Sequence, residues 1–358
     1  MENLKLIVFE NCRELGEMID KHLQKLTNTK SSFIIPIDEV RFNNGEGKVV
    51  IKESIRKKEV FVLSDIGNHS ITYKMFEYIN HKSPDDHFQD IIRCLCAIRN
   101  QAKSVSLVMP LLYSSRQHKR EGRESLDCAV ALQALVDKNI DNIITFDVHD
   151  SNVQNAIPCS SFDNFYPTNI ILENFIKHEK LDNNNLLAVA PDNGAIKRTN
   201  FYANMLGCKL GGHFEKQRDI YKVVDGKNPI LKHEYIGRDV KDKDILIVDD
   251  MIASGESMID VARELKKRGA KNIYMMSAYS LFTKGVDVFD KAYDEGLFTR
   301  LYTTNLSYVP KDVLKRKWIY QADCSEYVAK IIYTYYMGKS ISPLLEYRSK
   351  ILEDFARN

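Results

Sequence analysis

The sequence predicts an α/β protein with mainly parallel sheets in two domains, and three observations carry that expectation. Short apolar runs lack strict alternation, the segments between them carry a helical period, and the chain is 358 residues long. Strands covered on both faces read as continuous apolar runs, because neither side of the sheet meets water. Alternation of such runs with helical segments marks parallel β-α-β units. The length exceeds what a single hydrophobic core usually serves.

In chain order, LKLIVF (4–9) is the first predicted strand and 12–25 the first helix. Residues 33–61 break the rhythm: two extended segments flank Asn43-Asn44-Gly45, which predicts an antiparallel hairpin. EVFVLSD (59–65), a helix over 86–101, SVSLVMPLL (104–112), a helix over 124–137 and NIITFDVHD (142–150) complete the first half. CSSFDNFYPT (159–168), polar and bracketed by Pro158 and Pro167, reads as the domain boundary. Beyond it come a helix at 168–180, LLAVAPD (186–192), a helix at 194–206, DILIVDD (244–250) and a helix at 256–268. KNIYMMSAYS (271–280), a helix at 285–294 and RLYTTN (300–305) follow. Residues 216–243 are charged, contain Gly226 and Pro229, and show neither period, so they read as a long loop with a working role. From Ser325 two helical patterns remain, the second grouping Leu344, Leu345, Ile351, Leu352 and Phe355 on one face. The expected domains are 1–165 and 166–335, with a helical tail at 336–358.

Composition excludes several classes. Lys and Arg number 51 against 49 Asp and Glu, so no basic excess is available for a nucleic acid. The apolar part of MENLKLIVFENCREL is too short for a signal-peptide core, and no run approaches the ~20 apolar residues of a membrane span. Seven cysteines without metal-ligand spacing suggest a reducing compartment, and the protein is expected to be cytoplasmic. Cys94 and Cys96, inside a helical pattern, read as small buried hydrophobes. No G-x-G-x-x-G follows the first strand, which leaves a dinucleotide-binding dehydrogenase unsupported.

Chemistry concentrates at strand ends. In open α/β sheets ligands lie beyond the carboxyl ends of the strands, and there stand Asp147 with His149, Asp192, and Asp249 with Asp250. One acid after a strand is ordinarily a helix cap, but five such groups on three strands call for a ligand. Asp249 and Asp250 can accept hydrogen bonds from a vicinal diol, directly or through a metal. The turn from Ala253 to Ser257 can present amides and hydroxyls to an anion at a helix N-terminus. A diol beside a phosphate describes a ribose 5-phosphate.

VDDMIASGES resembles the phosphoribosyl-binding loop of type I phosphoribosyltransferase folds, and further segments resemble the ribose-phosphate pyrophosphokinase family. RFNNGEGKVVIKESIRKKEVFV is similar to that family's adenine hairpin; SSRQHKR with RESLDCAVALQAL to its ATP-phosphate segment; FDVHDSNVQNAIP to its metal-histidine segment. APDNGAIKR and EKQR are similar to its second strand-end acid and to the start of its catalytic loop. The resemblance spans about residues 4 to 335. It implies two similar phosphoribosyltransferase-type, Rossmann-like domains with an active site between them, a hairpin insertion in the first and a helical tail. It further implies a ribose-phosphate diphosphokinase that uses ATP and Mg²⁺ and releases AMP as the anomeric hydroxyl of ribose 5-phosphate attacks the β-phosphorus. A homo-oligomer is implied, at least a dimer and a hexamer by the family's habit, with adenine contacts lent by a neighbouring subunit.

By position, the resemblance assigns Phe42 to stacking on adenine, Asn44 and Glu46 to its edge, and Arg116 and Gln117 to the nucleotide. It assigns His149 and Asp192 to the metal, Asp249, Asp250, Ser254, Gly255, Glu256 and Ser257 to the sugar phosphate, and Lys216 and Arg218 to catalysis. Three positions depart from the family pattern: Ala253 replaces an aspartate, His118 replaces the acid of Arg-Gln-Asp, and Glu256 stands where glycine is common. Two other readings are a non-catalytic regulatory paralogue assembling with an active enzyme, and a phosphoribosyltransferase. The first should lose Lys216, Arg218, His149 or Asp192, all of which are present. The second would leave the hairpin and Arg116-Gln117 without a task.

Overall fold

The computed structural model describes residues 3–99, 101–120, 122–182, 184–218 and 230–357; for 216–218, 230–233, 356 and 357 it describes backbone only. The chain divides into two units. In the first, β1 (Leu4–Val8), α1 (Arg13–Thr27) and β2 (Ile34–Ile35) precede a hairpin of β3 (Ile37–Arg41) and β4 (Gly47–Ile51). Then come β5 (Glu59–Leu63), a second hairpin of β6 (Thr72–Met75) and β7 (Tyr78–His81), and α2 (Pro84–Ile98). β8 (Ser104–Val108), α3 (Asp127–Val136), β9 (Asn142–Phe146) and β10 (Ser161–Phe165) complete it. The sheet order is β10-β9-β8-β5-β1-β2, parallel throughout. Its central residues, Leu6, Ile7, Val60, Val62, Leu107, Ile143 and Ile144, are fully buried, and each such side chain contributes about 1.5–3 kcal/mol by leaving water.

The second unit has α4 (Thr168–His178), β11 (Leu186–Ala190), α5 (Ile196–Leu206), β12 (Lys209–Arg218), β13 (Ile230–Gly237) and β14 (Asp244–Ile252). α6 (Glu256–Lys267), β15 (Ile273–Ser280), α7 (Asp287–Asp294), β16 (Arg300–Thr304) and β17 (Ile319–Ala322) follow. Strand order is β13-β12-β11-β14-β15-β16-β17, with only β12 and β13 antiparallel among these pairs. The chain then returns. α8 (Ser325–Tyr336) packs on α1 in the first unit, and α9 (Arg348–Arg357) packs on α4 and α5 in the second, where Ile351 and Phe355 join the core. No helix among the described residues is long and apolar enough to cross a membrane.

Residues 305–309 also belong to the first unit. Asp65 holds them there: its carboxylate accepts from Ser307 Oγ (2.9 Å), the Tyr308 amide (2.8 Å) and the Gly67 amide (2.9 Å). Burial pushes this carboxyl up to about 6, against the pull of those donors.

Several details depart from the sequence expectation. The stretch 159–168 contains edge strand β10, whose polar SFDNF offers no apolar run because four of its residues are only half buried. Residues 325–335, grouped above with the second domain, pack instead against α1. The segment 216–243 is partly a ribbon: β12 extends through Arg218 and pairs with β13, so Lys216 and Arg218 lie on a strand. Gly226 and Pro229 lie outside the described residues. Cys94 is buried as expected, but Cys96 is exposed; all seven cysteines are free thiols.

Candidate active site

In the second unit the site begins where neighbouring strands stop at different heights. β11 pairs with β14 only as far as Val189↔Ile247, whereas β14 and β15 continue together to Ile252↔Ser280. Asp249 and Asp250 therefore lie within β14 rather than at its end, on the stretch that β11 has left, and Asp192 follows β11 beside them. The Asp250 amide donates to Asp249 Oδ1 (2.9 Å), and Asp192 Oδ1 accepts from the Ala195 amide (3.1 Å) at the start of α5. Burial, then Asp250 and Asp192, push the Asp249 carboxyl well above the usual carboxylate range, with Arg198 acting in the opposite sense. Crowded negative charge of this kind favours a cation or a hydrogen-bond donor such as a sugar hydroxyl.

The bend after β14 leads directly into α6. Gly255 is its N-cap at φ 82°, and no side chain caps the helix. The Gly255 carbonyl accepts from the Met258 and Ile259 amides, each at 3.0 Å. A Cβ at Gly255 would stand 2.1 Å from Phe289 Cζ, so glycine is required both by the dihedral and by the ring beneath it. Gly255→Ala is expected to lower unfolding stability by roughly 2–4 kcal/mol, strain plus overpacking, as read from urea melts. Ser254 Oγ donates to Glu256 Oε2 (3.3 Å), and Lys284 Nζ pairs with Glu256 Oε1 (2.9 Å). Lys284 thus offsets the charge that Glu256 brings to the helix start. Ser257 is exposed in the first turn of α6.

The register places Lys216 and Arg218. β11 and β12 run parallel with Ala190 opposite His213, so Lys216 and Arg218 lie three and five residues further toward the carboxyl end, the end that holds Asp192.

In the first unit the β3–β4 turn is closed by Phe42 N–H to the Glu46 carbonyl and Gly45 N–H to the Phe42 carbonyl, both 2.8 Å. Phe42 is half exposed, with Lys48 Nζ 5.8 Å from its ring centroid. Asn44 Nδ2 donates to Glu46 Oε2 (2.9 Å) and Asn44 Oδ1 accepts from the Glu46 amide (3.1 Å), so these two side chains fix one another. Arg116 and Gln117 are exposed on the loop after β8. That loop brings His118 to the residues after β9: its ring centroid is 5.3 Å from that of His149, and its Nε2 is 3.5 Å from Asp150 Oδ2. Asp147 is buried with φ 39°, and its amide donates to the Phe165 carbonyl (2.8 Å). Through His118 the loop that carries Arg116 and Gln117 thus meets His149, while Phe42, Asn44 and Glu46 lie at a separate turn. α2 serves both: Tyr113 donates to Asp85 (2.7 Å) and stacks on Phe88, while Arg41 pairs with Asp86 and Asp90.

Residues 4–138 match the family model for the N-terminal domain of ribose phosphate pyrophosphokinase, and residues 170–309 match that of the phosphoribosyl transferase domain. The chain belongs to the ribose-phosphate pyrophosphokinase family. A ribose-phosphate pyrophosphokinase of Mycoplasma genitalium is 24% identical over 352 residues, 97% of this chain and 96% of its own. One of Ralstonia nicotianae is 26% identical over 294 residues, 80% and 82% of the two chains. The fold is that of phosphoribosylpyrophosphate synthetase from Mycobacterium smegmatis, with TM-score 0.77 at 20% identity over 94% of this chain and 99% of that one.

Against the pyrophosphokinase pattern, the structure accounts for two of the three departures. Glu256 is neutralised by Lys284, and His118 is placed against His149 and Asp150. Nothing in the structure explains Ala253. Arg198, Lys284 and Phe289 act on the site without having been singled out from sequence. Only Arg198 left a signal, as a basic residue in the quoted APDNGAIKR.

Proposed function

We propose that this pyrophosphokinase transfers the β,γ-pyrophosphoryl group of ATP to the 1-hydroxyl of ribose 5-phosphate. The hydroxyl oxygen forms a bond to the β-phosphorus, the bond from that phosphorus to the α,β-bridging oxygen breaks, and AMP leaves with 5-phosphoribosyl 1-pyrophosphate as the other product. One observation carries the reading: an acid pair at the left-open edge of β14 is followed by an uncapped helix start that admits only glycine.

Asp249 and Asp250 hold the ribose diol, and Ser254, Gly255, Glu256 and Ser257 surround the 5-phosphate. The α6 N-terminus supplies partial positive charge there. Phe42 stacks on the base, Asn44 and Glu46 meet its edge, and Arg116 and Gln117 hold the phosphate chain. Lys216 and Arg218 supply charge to the transferring group, since such a reaction asks chiefly for in-line positioning and neutralisation.

His149 and Asp192 are the metal-facing residues. Among the described residues no group of three or more His, Cys, Asp or Glu is arranged to hold an ion. In the second unit Asp192 stands with Asp249 and Asp250 in a carboxylate cluster of excess negative charge, and such a cluster fits Mg²⁺, which keeps phosphate oxygens and waters as ligands. When bound, it supplies charge neutralisation on the phosphates. A homo-oligomer, at least a dimer, working in the cytoplasm completes the proposal.

Purified protein given ATP, Mg²⁺ and ribose 5-phosphate is expected to release AMP only when the sugar phosphate is present. Release of ADP in its place, or no AMP, would contradict the reading.

A further inference from the structure

The segment 69–82 forms the β6–β7 hairpin, to which none of the functions above gives a task. We propose that this hairpin is a second wall of the nucleobase site, with Phe76 and Tyr78 contacting the base that Phe42 stacks on. The inference rests on the assignment of the β3–β4 turn to the nucleotide.

The two hairpins meet at their turns. The Phe76 amide donates to the Asn43 carbonyl (2.9 Å), and a Cβ at Gly45 would lie 2.6 Å from Met75 Sδ. Residues directly opposite in an antiparallel pair share a face, and Met75 pairs with Tyr78 as Tyr73 pairs with Asn80. Tyr78 therefore stands on the face that carries Met75 against the nucleotide turn. Ile79, opposite Lys74, stands on the other face.

These aromatics contribute little to the fold. Phe76 is 67% and Tyr78 75% exposed, so neither ring gains much by burial. Phe76 and Glu77 occupy the turn with φ 46° and 68°. A two-residue turn with both dihedrals positive favours Asn-Gly, and a phenylalanine there is held at a cost. Strain and exposure together at one position point to a ligand-facing role.

The mounting is rigid. Lys82, just after β7, pairs with Glu39 of β3 (2.8 Å) and with Asp90 of α2 (3.0 Å). Arg41, at the end of β3, pairs with Asp90 (2.9 Å) and Asp86 (3.2 Å), and its guanidinium lies 5.0 Å from the Tyr73 ring centroid. Lys82 and Asp90 are both buried, so these pairs are little screened by solvent. One ion network thus fixes both hairpins to α2, and their turns keep a set separation. A planar base has two faces, and a second aromatic surface suits the one that Phe42 leaves open.

Titration calorimetry of ATP with Mg²⁺ into the full-length protein tests this with Phe42→Ala, Phe76→Ala and Tyr78→Ala. Phe76→Ala and Tyr78→Ala are each expected to weaken binding roughly five- to twentyfold, with ribose 5-phosphate affinity and melting temperature retained. The double variant Phe76→Asn with Glu77→Gly, an unstrained turn, is expected to melt higher and still bind ATP more weakly. If Phe42→Ala weakens binding while Phe76→Ala and Tyr78→Ala do not, the second wall is refuted and the first hairpin's role stands. If none of the three weakens it, the base lies elsewhere and both readings fall. A change in molar mass by light scattering with unchanged ATP affinity would make the hairpin a subunit contact and overturn the inference.

Discussion

Lys216→Ala is expected to lower kcat about a hundredfold or more while KM for both substrates moves only a few fold. The ground state already carries triphosphate and sugar phosphate charges, and pyrophosphoryl transfer redistributes charge over the moving group and the departing AMP. A cation that meets this charge chiefly in the transition state changes kcat and leaves binding nearly alone. A lost electrostatic donor of this kind costs about 3 kcal/mol or more of barrier. Geometry supports the placement: the β12 register carries residue 216 three positions beyond the Ala190↔His213 pair, about 10 Å at ~3.3 Å per residue, past the end of β11. Arg218→Ala should act in the same direction. Initial rates of AMP release at saturating substrates check both; a variant with normal kcat and a raised KM would assign Lys216 to ground-state binding instead.

Asp249→Asn is expected to do two opposite things: raise KM for ribose 5-phosphate roughly ten- to hundredfold, the loss of charge-assisted hydrogen bonds, and raise the melting temperature by a few degrees. Burial and the neighbouring Asp250 and Asp192 hold this carboxyl well above its ordinary value. A folded-state value above the unfolded one means that the folded protein binds the proton more tightly, so stability falls as pH rises through the interval between the two. Above that interval the wild-type chain bears the cost of a buried charge that the asparagine variant lacks. As pH is lowered toward the folded value the wild type takes up the proton, and the difference in melting temperature should shrink. Thermal melts of both proteins as a function of pH check the sign; a variant that loses melting temperature relative to the wild type as pH rises would show that the Asp249 carboxylate stabilises the fold.

Much of the architecture was legible because parallel strands buried on both faces leave unmistakable runs. β1, β5, β8, β9, β11, β15 and β16 all lie within the stretches read as strands, and β14 runs two residues beyond its stretch. The elements that were missed meet water on one side or lie at edges: β10 as SFDNF, β17 as IYQA, the β6–β7 hairpin and the polar β12–β13 ribbon. Their stability comes from ladder hydrogen bonds and neighbours distant in sequence, which local composition does not record. The site divides in the same way. Asp192, Asp249 and Asp250 could be read from strand-end chemistry, and Gly255 from the turn. The residues proposed for the nucleotide needed a family resemblance, since Arg116 and Gln117 are ordinary exposed residues on a loop. Lys284 and Phe289 act only through folded proximity to Glu256 and Gly255, so nothing local to them announces a role.

A sugar monophosphate seated on the bend from Asp249 to Ser257 is the premise behind each of these expectations. A crystal structure of the protein soaked with ribose 5-phosphate tests it most directly. The phosphate should lie within hydrogen-bond reach of the amides at Gly255–Ser257, with the ribose hydroxyls turned toward Asp249 and Asp250. An empty bend at saturating ligand, or the sugar phosphate bound at another place, would contradict the account.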